Sequence, residues 1–352
     1  MRKCSPIATT DAGAATTDAA LGTAGANVRV CPPRKPYSDT VATTDMALGH
    51  GKVILLGEHS VVHGRPALAL SVARGAEVVV APAPRAAHTT LHIEPWAVEV
   101  DSGRETNEGR EPLQQALRVA RGFYEDDVEV ALSATMHLPS GAGMGSSAAL
   151  GVAVLRALDE ARGVSRPEQE IYERSLAWER VFHGNPSGVD NAMATFGGIA
   201  LFKRGEPLTH VVPRKPVKLV VAYSGESSST KAMVDSVARQ YEREPLRIGK
   251  LFDAIASIVS NGKLALEQGD LKGLGQLMTM NHKLLSALML STDALEEMNE
   301  RAMAAGALGA KVTGAGGGGC MVALVDGDDM ARNVASALRE LDKTVYDVGS
   351  CA

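Results

Sequence analysis

The sequence predicts an α+β protein built as two lobes, each with its own sheet and helices, and an active cleft at their seam. Three observations carry this. The 352 residues exceed what one hydrophobic core usually organises. In the first half of the patterned sequence, strand-like segments follow one another with few helices between them, which does not suit a doubly wound sheet. Beyond about residue 205, a strand pattern, four helical patterns, another strand and a last helix succeed one another.

Residues 1–45 are dominated by Ala, Thr, Gly and Asp, with TTD recurring at 9–11, 16–18 and 43–45. They hold too little large apolar surface to repay ordering and are expected to be disordered. Met46 directly precedes well-patterned sequence, and Asp11, Asp18 and Asp39 disfavour an organelle-targeting leader. The expected domains are 46–205 and 206–352. KVILL at 52–56, AEVVVA at 76–81, TTLHIE at 89–94 and DVEVALSA at 127–134 read as strands, and 111–123 as an amphipathic helix. Leu150, Val154 and Leu158 recur at four-residue spacing, on one face of a helix that begins at Ser146 and Ser147. A second helix runs from about 167 to 182. In the second half, 217–223 and 320–325 read as strands, and 229–242, 246–267, 270–290, 293–305 and 328–341 as helices.

A formal net charge of −5 argues against a general nucleic-acid or anionic-membrane surface, which leaves small soluble partners. No run approaches the roughly 18 apolar residues of a membrane helix, and the first 30 residues lack a secretory apolar block. Cys4, Cys31, Cys320 and Cys351 form no CxxC pair, which fits a reduced compartment and not a zinc site. A cytoplasmic enzyme is the expectation; a homodimer is compatible with it.

LPSGAGMGSSAAL, at 138–150, sets glycines and two hydroxyls ahead of a helix, where free N–H groups and the helix dipole attract an anion. Gly141, Gly143 and Gly145 have no Cβ to obstruct a phosphate, and Ser146 or Ser147 offers a hydroxyl to phosphate or magnesium. The plainer alternative is a glycine-rich turn capped by Ser146. The loop lacks the lysine of a Walker A motif. The literal G-x-G-x-x-G, at Gly314, Gly316 and Gly319, precedes a strand pattern where a dinucleotide fold needs a helix.

GHGKVILLGEHSVVHG, at 49–64, places Lys52, Glu58 and His59 around a short apolar strand, as one wall of a polar pocket; singly, each has a structural explanation as an edge charge or a turn residue. WERVFHGNPSGVDNAMATFGG, at 178–198, ends a helix with Glu179 and presents Asp190 from a loop of small residues. Phosphoryl transfer needs a group that accepts or positions the hydroxyl proton and a cation on the phosphates. Asp190 suits the first task, and Glu179 with Ser147 the second. A helix-end charge and a local turn are the plain alternatives for Glu179 and Asp190. KVTGAGGGGC, at 311–320, carries an entropic cost that close backbone approach to another element would explain. In SGESSSTKAMV, at 224–234, Thr230 and Lys231 either face the cleft or cap a helix.

The blocks PSGAGMGSSAA, HGNPSGVDN, KVTGAGGGGC and GKVILLGEHSVVHG together resemble the GHMP small-molecule kinases, from about residue 47 to the C-terminus. The resemblance implies an N-terminal ATP-binding lobe like domain 2 of ribosomal protein S5, a ferredoxin-like C-terminal lobe, and ATP with Mg2+ between them. It implies Asp190 as catalytic base and Lys52 as the residue that lowers the pKa of the attacking hydroxyl. Ser147 and Glu179 would hold magnesium, and Gly141, Ala142, Gly143, Met144, Gly145, Ser146 and Ser147 would surround the triphosphate. GEHSVVHG and HGNPSGVDN point to the members whose acceptor is (R)-mevalonate, with Glu58, His59 and Thr230 on the acceptor side. The chain departs from the family at His50, where a proline is common, and at Leu150, where some members carry tyrosine. A kinase of another hydroxy acid, phosphomevalonate or a sugar, and a catalytically inactive regulator of the same fold, stay open as alternatives. The joint presence of Lys52, Ser147, Glu179 and Asp190 speaks against the regulator.

Overall fold

The computed structural model describes residues 27–29, 47–82, 87–94, 96–103, 111–138, 143–184 and 186–349. Within the segment expected to be disordered, Asn27–Arg29 forms a short strand, β1; the rest of residues 1–45 lies outside the described residues.

The first sheet grows from two long strands, β2 (Ala47–Leu56) and β3 (Ala67–Pro82), paired antiparallel with an irregularity between Gly49 and Gly51. A Cβ on Gly75 would stand 2.4 Å from the Gly51 nitrogen, so the strands cross there more closely than any side chain permits. β4 (Thr90–Glu94), β5 (Val98–Asp101) and α1 (Glu111–Arg121) follow, then β6 (Val130–Met136). Three helices come next: α2 (Ser146–Glu160), α3 (Glu168–His183) and α4 (Val189–Phe196). β7 (Ile199–Phe202) and β8 (Thr209–His210) complete a sheet of order β5-β4-β6-β3-β7-β8, with β2 added on β3. Only the second half of β3 was expected as strand. Residues 67–72 are all buried, so the two-residue alternation that marks a half-exposed strand is missing there.

The second half contains β9 (Lys218–Tyr223), α5 (Thr230–Arg243), α6 (Pro245–Gln268), α7 (Leu271–Ala287) and α8 (Asp293–Ala304). β10 (Gly309–Thr313), β11 (Cys320–Val325), α9 (Asp328–Arg339) and β12 (Thr344–Gly349) end it. The sheet order is β1-β12-β9-β11-β10, with β1 parallel to β12. The strand following the glycine block is present as β11, so the dinucleotide motif is absent there. One apolar core runs through both halves: Val53, Leu55, Leu68 and Leu70 of the first sheet pack with Phe252, Ile255 and Leu274 of the second half. Gly262 makes room for this on α6, since a Cβ there would lie 2.2 Å from the Leu56 Cδ1. No helix among the described residues is long and apolar enough to cross a membrane.

Candidate active site

Side-chain alternation along β2 turns Val53 and Leu55 into the shared core and Ile54 toward α4; Lys52, two residues before Ile54, shares its face. Its Nζ donates to the Gly143 carbonyl at 2.7 Å and lies 3.2 Å from Asp190 Oδ1, while its backbone N–H donates to Met144 O at 2.9 Å. Asp190 stands in the first turn of α4, where unsatisfied N–H groups favour a carboxylate. A loop was expected here. The eight-residue helix forms because Ala192, Met193 and Ala194 are buried, and because Asn191 donates to the carbonyl and hydroxyl oxygens of Ser175, each at 3.0 Å. The Asp190 side chain remains 30% exposed, whereas that of Lys52 is only 4% exposed, so the carboxylate is the more accessible of the two.

Gly143 and Gly145 both adopt left-handed φ of 74°, and Gly145 occupies the N-cap position of α2 without any side-chain cap. Ser146 is therefore the first helical residue and does not cap, and among the described residues no side chain caps the first-turn N–H groups. A Cβ on Gly145 would stand 3.2 Å from Lys52 Cγ and 3.6 Å from Asp190 Cβ, which places the loop's end directly on the Lys52–Asp190 pair. Met144 is buried beneath it. Gly141 and Ala142 lie outside the described residues.

Ser147 Oγ donates to Glu179 Oε1 at 2.9 Å, and His183 Nε2 lies 3.2 Å from the same oxygen. The bond that His183 donates to Glu179 raises its pKa above the ordinary value, against the lowering effect of burial. Glu179 is buried, and its second oxygen, Oε2, has no hydrogen-bond partner among the described residues. A buried carboxylate oxygen left bare is costly, and a hard cation is the partner it suits. Trp178 fixes this arrangement: its indole donates to Ser147 O at 3.0 Å and lies against Gly151, where a Cβ would come within 2.5 Å of the ring.

Glu58 is buried in an ion pair with Lys311 and accepts a hydrogen bond from Asn281 Nδ2 at 3.1 Å. His59 holds φ 58°, and its Nε2–H donates to Ala315 O at 2.8 Å. Burial pushes the His59 pKa down to about 4, so the ring is neutral at pH 7. Thr230 is exposed at the start of α5, and Ser229, not Thr230, supplies the cap. The structure thus joins Lys52, Asp190 and the end of the serine-glycine loop in one group, with Ser147, Glu179 and His183 adjoining it. Glu58 and His59 make their contacts with the second half of the chain. Lys311, Asn281 and His183 were not singled out from the sequence; Lys311 stood at the head of the KVTGAGGGGC block, overshadowed by its glycines. The close approach expected of that block is present: a Cβ on Gly316 would lie 2.3 Å from Leu290 O, and one on Gly314 would lie 3.1 Å from Gly143 O.

Residues 113–198 match the family described as GHMP kinases N terminal domain, and residues 263–343 match GHMP kinases C terminal. Two α+β halves with a glycine-rich loop set on a Lys–Asp pair, matched by both family models, define a GHMP kinase, an enzyme class that uses ATP as phosphoryl donor. The mevalonate kinase of Pyrococcus horikoshii is 35% identical over 320 residues, 84% of this chain and 92% of that protein. That of Methanothermobacter thermautotrophicus is 32% identical, over 77% of this chain and 87% of its own. The crystal structure of L. major mevalonate kinase in complex with R-mevalonate matches with a TM-score of 0.75 at 30% identity, covering 87% of this chain and 95% of that one. The chain belongs to the mevalonate kinase family.

Proposed function

We propose that the chain transfers the γ-phosphoryl group of ATP to the primary hydroxyl of (R)-mevalonate, giving ADP and 5-phosphomevalonate without a phosphoenzyme. The observation that carries this is Lys52 Nζ, held between Gly143 O and Asp190 Oδ1, which sets a cation and a proton acceptor together at the end of the phosphate loop. The acceptor's identity rests on the family. Asp190 takes the hydroxyl proton; the freed oxygen bonds to the γ-phosphorus as the bond to the β–γ bridging oxygen breaks, and that electron pair leaves with ADP. Lys52 stabilises the developing alkoxide. A cation about 4 Å away contributes roughly 4 kcal/mol at an effective dielectric near 20, before desolvation, or about three decades of rate.

Residues 141–147 would surround the triphosphate with glycine backbone and the first-turn N–H groups of α2. Ser147 and Glu179 would hold Mg2+, which the bare Glu179 Oε2 fits. Bound there, the ion would offset phosphate charge. His59 and Thr230 are assigned to the acceptor side, and Glu58 to the same side through the turn it shares with His59. The two units are 46–205 and 206–352. A cytoplasmic setting suits a soluble acceptor and the free buried thiol of Cys320. A panel of acceptors at saturating magnesium-ATP tests the proposal by coupled ADP detection: mevalonate supports turnover, and phosphomevalonate, galactose and homoserine do so at least about a hundredfold less well. No mevalonate-dependent ADP would refute it.

A further inference from the structure

Lys311 lies on β10 with its side chain wholly buried, outside the group that faces the phosphates. A buried ammonium needs an acceptor for each proton it carries. Lys311 has three: Glu58 Oε1, Ile54 O at 3.4 Å and Val312 O at 2.5 Å. The other Glu58 oxygen accepts from Asn281 Nδ2 on α7. Two residues beyond Lys311, Thr313 Oγ1 accepts from Ile54 N–H at 3.2 Å and donates to Ile54 O at 3.1 Å. The second half of the chain therefore grips the end of β2, the strand of Lys52, and the turn that follows it.

That turn holds His59 at φ 58° and ψ −46°, a conformation a non-glycine residue keeps only when its surroundings impose it. Glu58 is its immediate neighbour, and His59 is tied again to Ala315 O. A buried ion pair rarely outdoes an apolar pair of the same volume in stability, so stability alone does not account for one here. What a fully bonded pair supplies is a defined geometry.

We propose that Lys311 is a positioning residue for phosphoryl transfer: through Glu58 it imposes the conformation of the Gly57–Glu58–His59 turn and so shapes the acceptor side of the site, leaving the phosphate loop unaltered. This rests on the acceptor-side role proposed for His59. The test is steady-state kinetics of Lys311→Met and Asn281→Ala, with acceptor and ATP varied in turn. Both side chains are buried, so neither substitution removes a contact with the acceptor. The acceptor KM rises about tenfold or more in Lys311→Met and about threefold in Asn281→Ala, with the KM for ATP within about twofold of wild type. Asn281→Ala releases the other Glu58 oxygen and so tests whether the hold on Glu58 governs the turn if Lys311→Met does not fold. Equal rises in both KM values, or a wild-type acceptor KM in a folded variant, overturn the proposal. Wild-type turnover of mevalonate, measured alongside, tests the proposed function separately. The His59 imidazole resonances report on the turn without turnover; they shift in both variants, and an unmoved signal overturns the proposal whatever the acceptor.

Discussion

Lys52 and Asp190 are 138 positions apart in sequence and 3.2 Å apart in space, so each limits what the other does. Lys52 is almost fully buried and spends one bond on Gly143 O; the charge it turns to Asp190 is poorly screened by water. Lys52→Met and Asp190→Ala are each expected to lower kcat at least about a hundredfold while ATP binding is largely kept, because neither removes the N–H groups proposed to hold phosphate. Single-turnover kinetics beside ATP titration check this, and wild-type turnover in both variants would remove the pair from the chemistry. The residue types were legible in the sequence, in blocks dense with charge beside apolar runs. The carbonyl that holds Lys52 was not, because backbone acceptors leave no trace in residue identity.

At the scale of elements, the α2–α3 crossing places the proposed magnesium ligands. Gly151 on α2 admits the Trp178 ring, and the following residue, Glu179, reaches Ser147. A methyl group at 151 would have to displace a buried indole. Gly151→Ala is expected to cost about 1–3 kcal/mol of stability and to raise the magnesium concentration for half-maximal activity several-fold. Urea unfolding gives the first quantity and a magnesium titration the second; a destabilised variant with an unchanged magnesium requirement would argue against the Ser147–Glu179 site. Helices with one buried face, such as α1 and α6 to α9, were legible from their periodicity. The first half of β3 was not, since it is buried on both faces, and α4 was not, since its eight residues owe their helicity to packing.

At the scale of the molecule, the two halves share one apolar core and a buried polar seam, and the seam makes stability depend on pH. Burial holds the His59 pKa near 4 against an ordinary 6.5. Between those values the unfolded chain binds a proton that the folded protein refuses, so this contribution is complete above pH 6.5 and lost as the pH falls toward 4. The loss amounts to roughly 3 kcal/mol, the cost of about two and a half pKa units. His63 and His282 are shifted down as well and act in the same direction, whereas His183, shifted up, opposes them. In His59→Asn, urea unfolding followed across this range is expected to show a correspondingly shallower fall; an unchanged slope would place the dependence elsewhere.

The α+β class, the placement of most helices, the glycine-rich loop and the set of chemical groups are readable from the residues alone, because they follow from local periodicity and from residue types that are costly to bury or to order. Which of those groups meet is settled by long-range packing. Lys52 joins Asp190, and Ser147 joins Glu179, through contacts made across distant segments. Glu58, grouped in the sequence with His59 and Lys52, spends its charge on Lys311 from the other half of the chain. The partner of a buried charge is set by packing, and packing is a property of the whole chain.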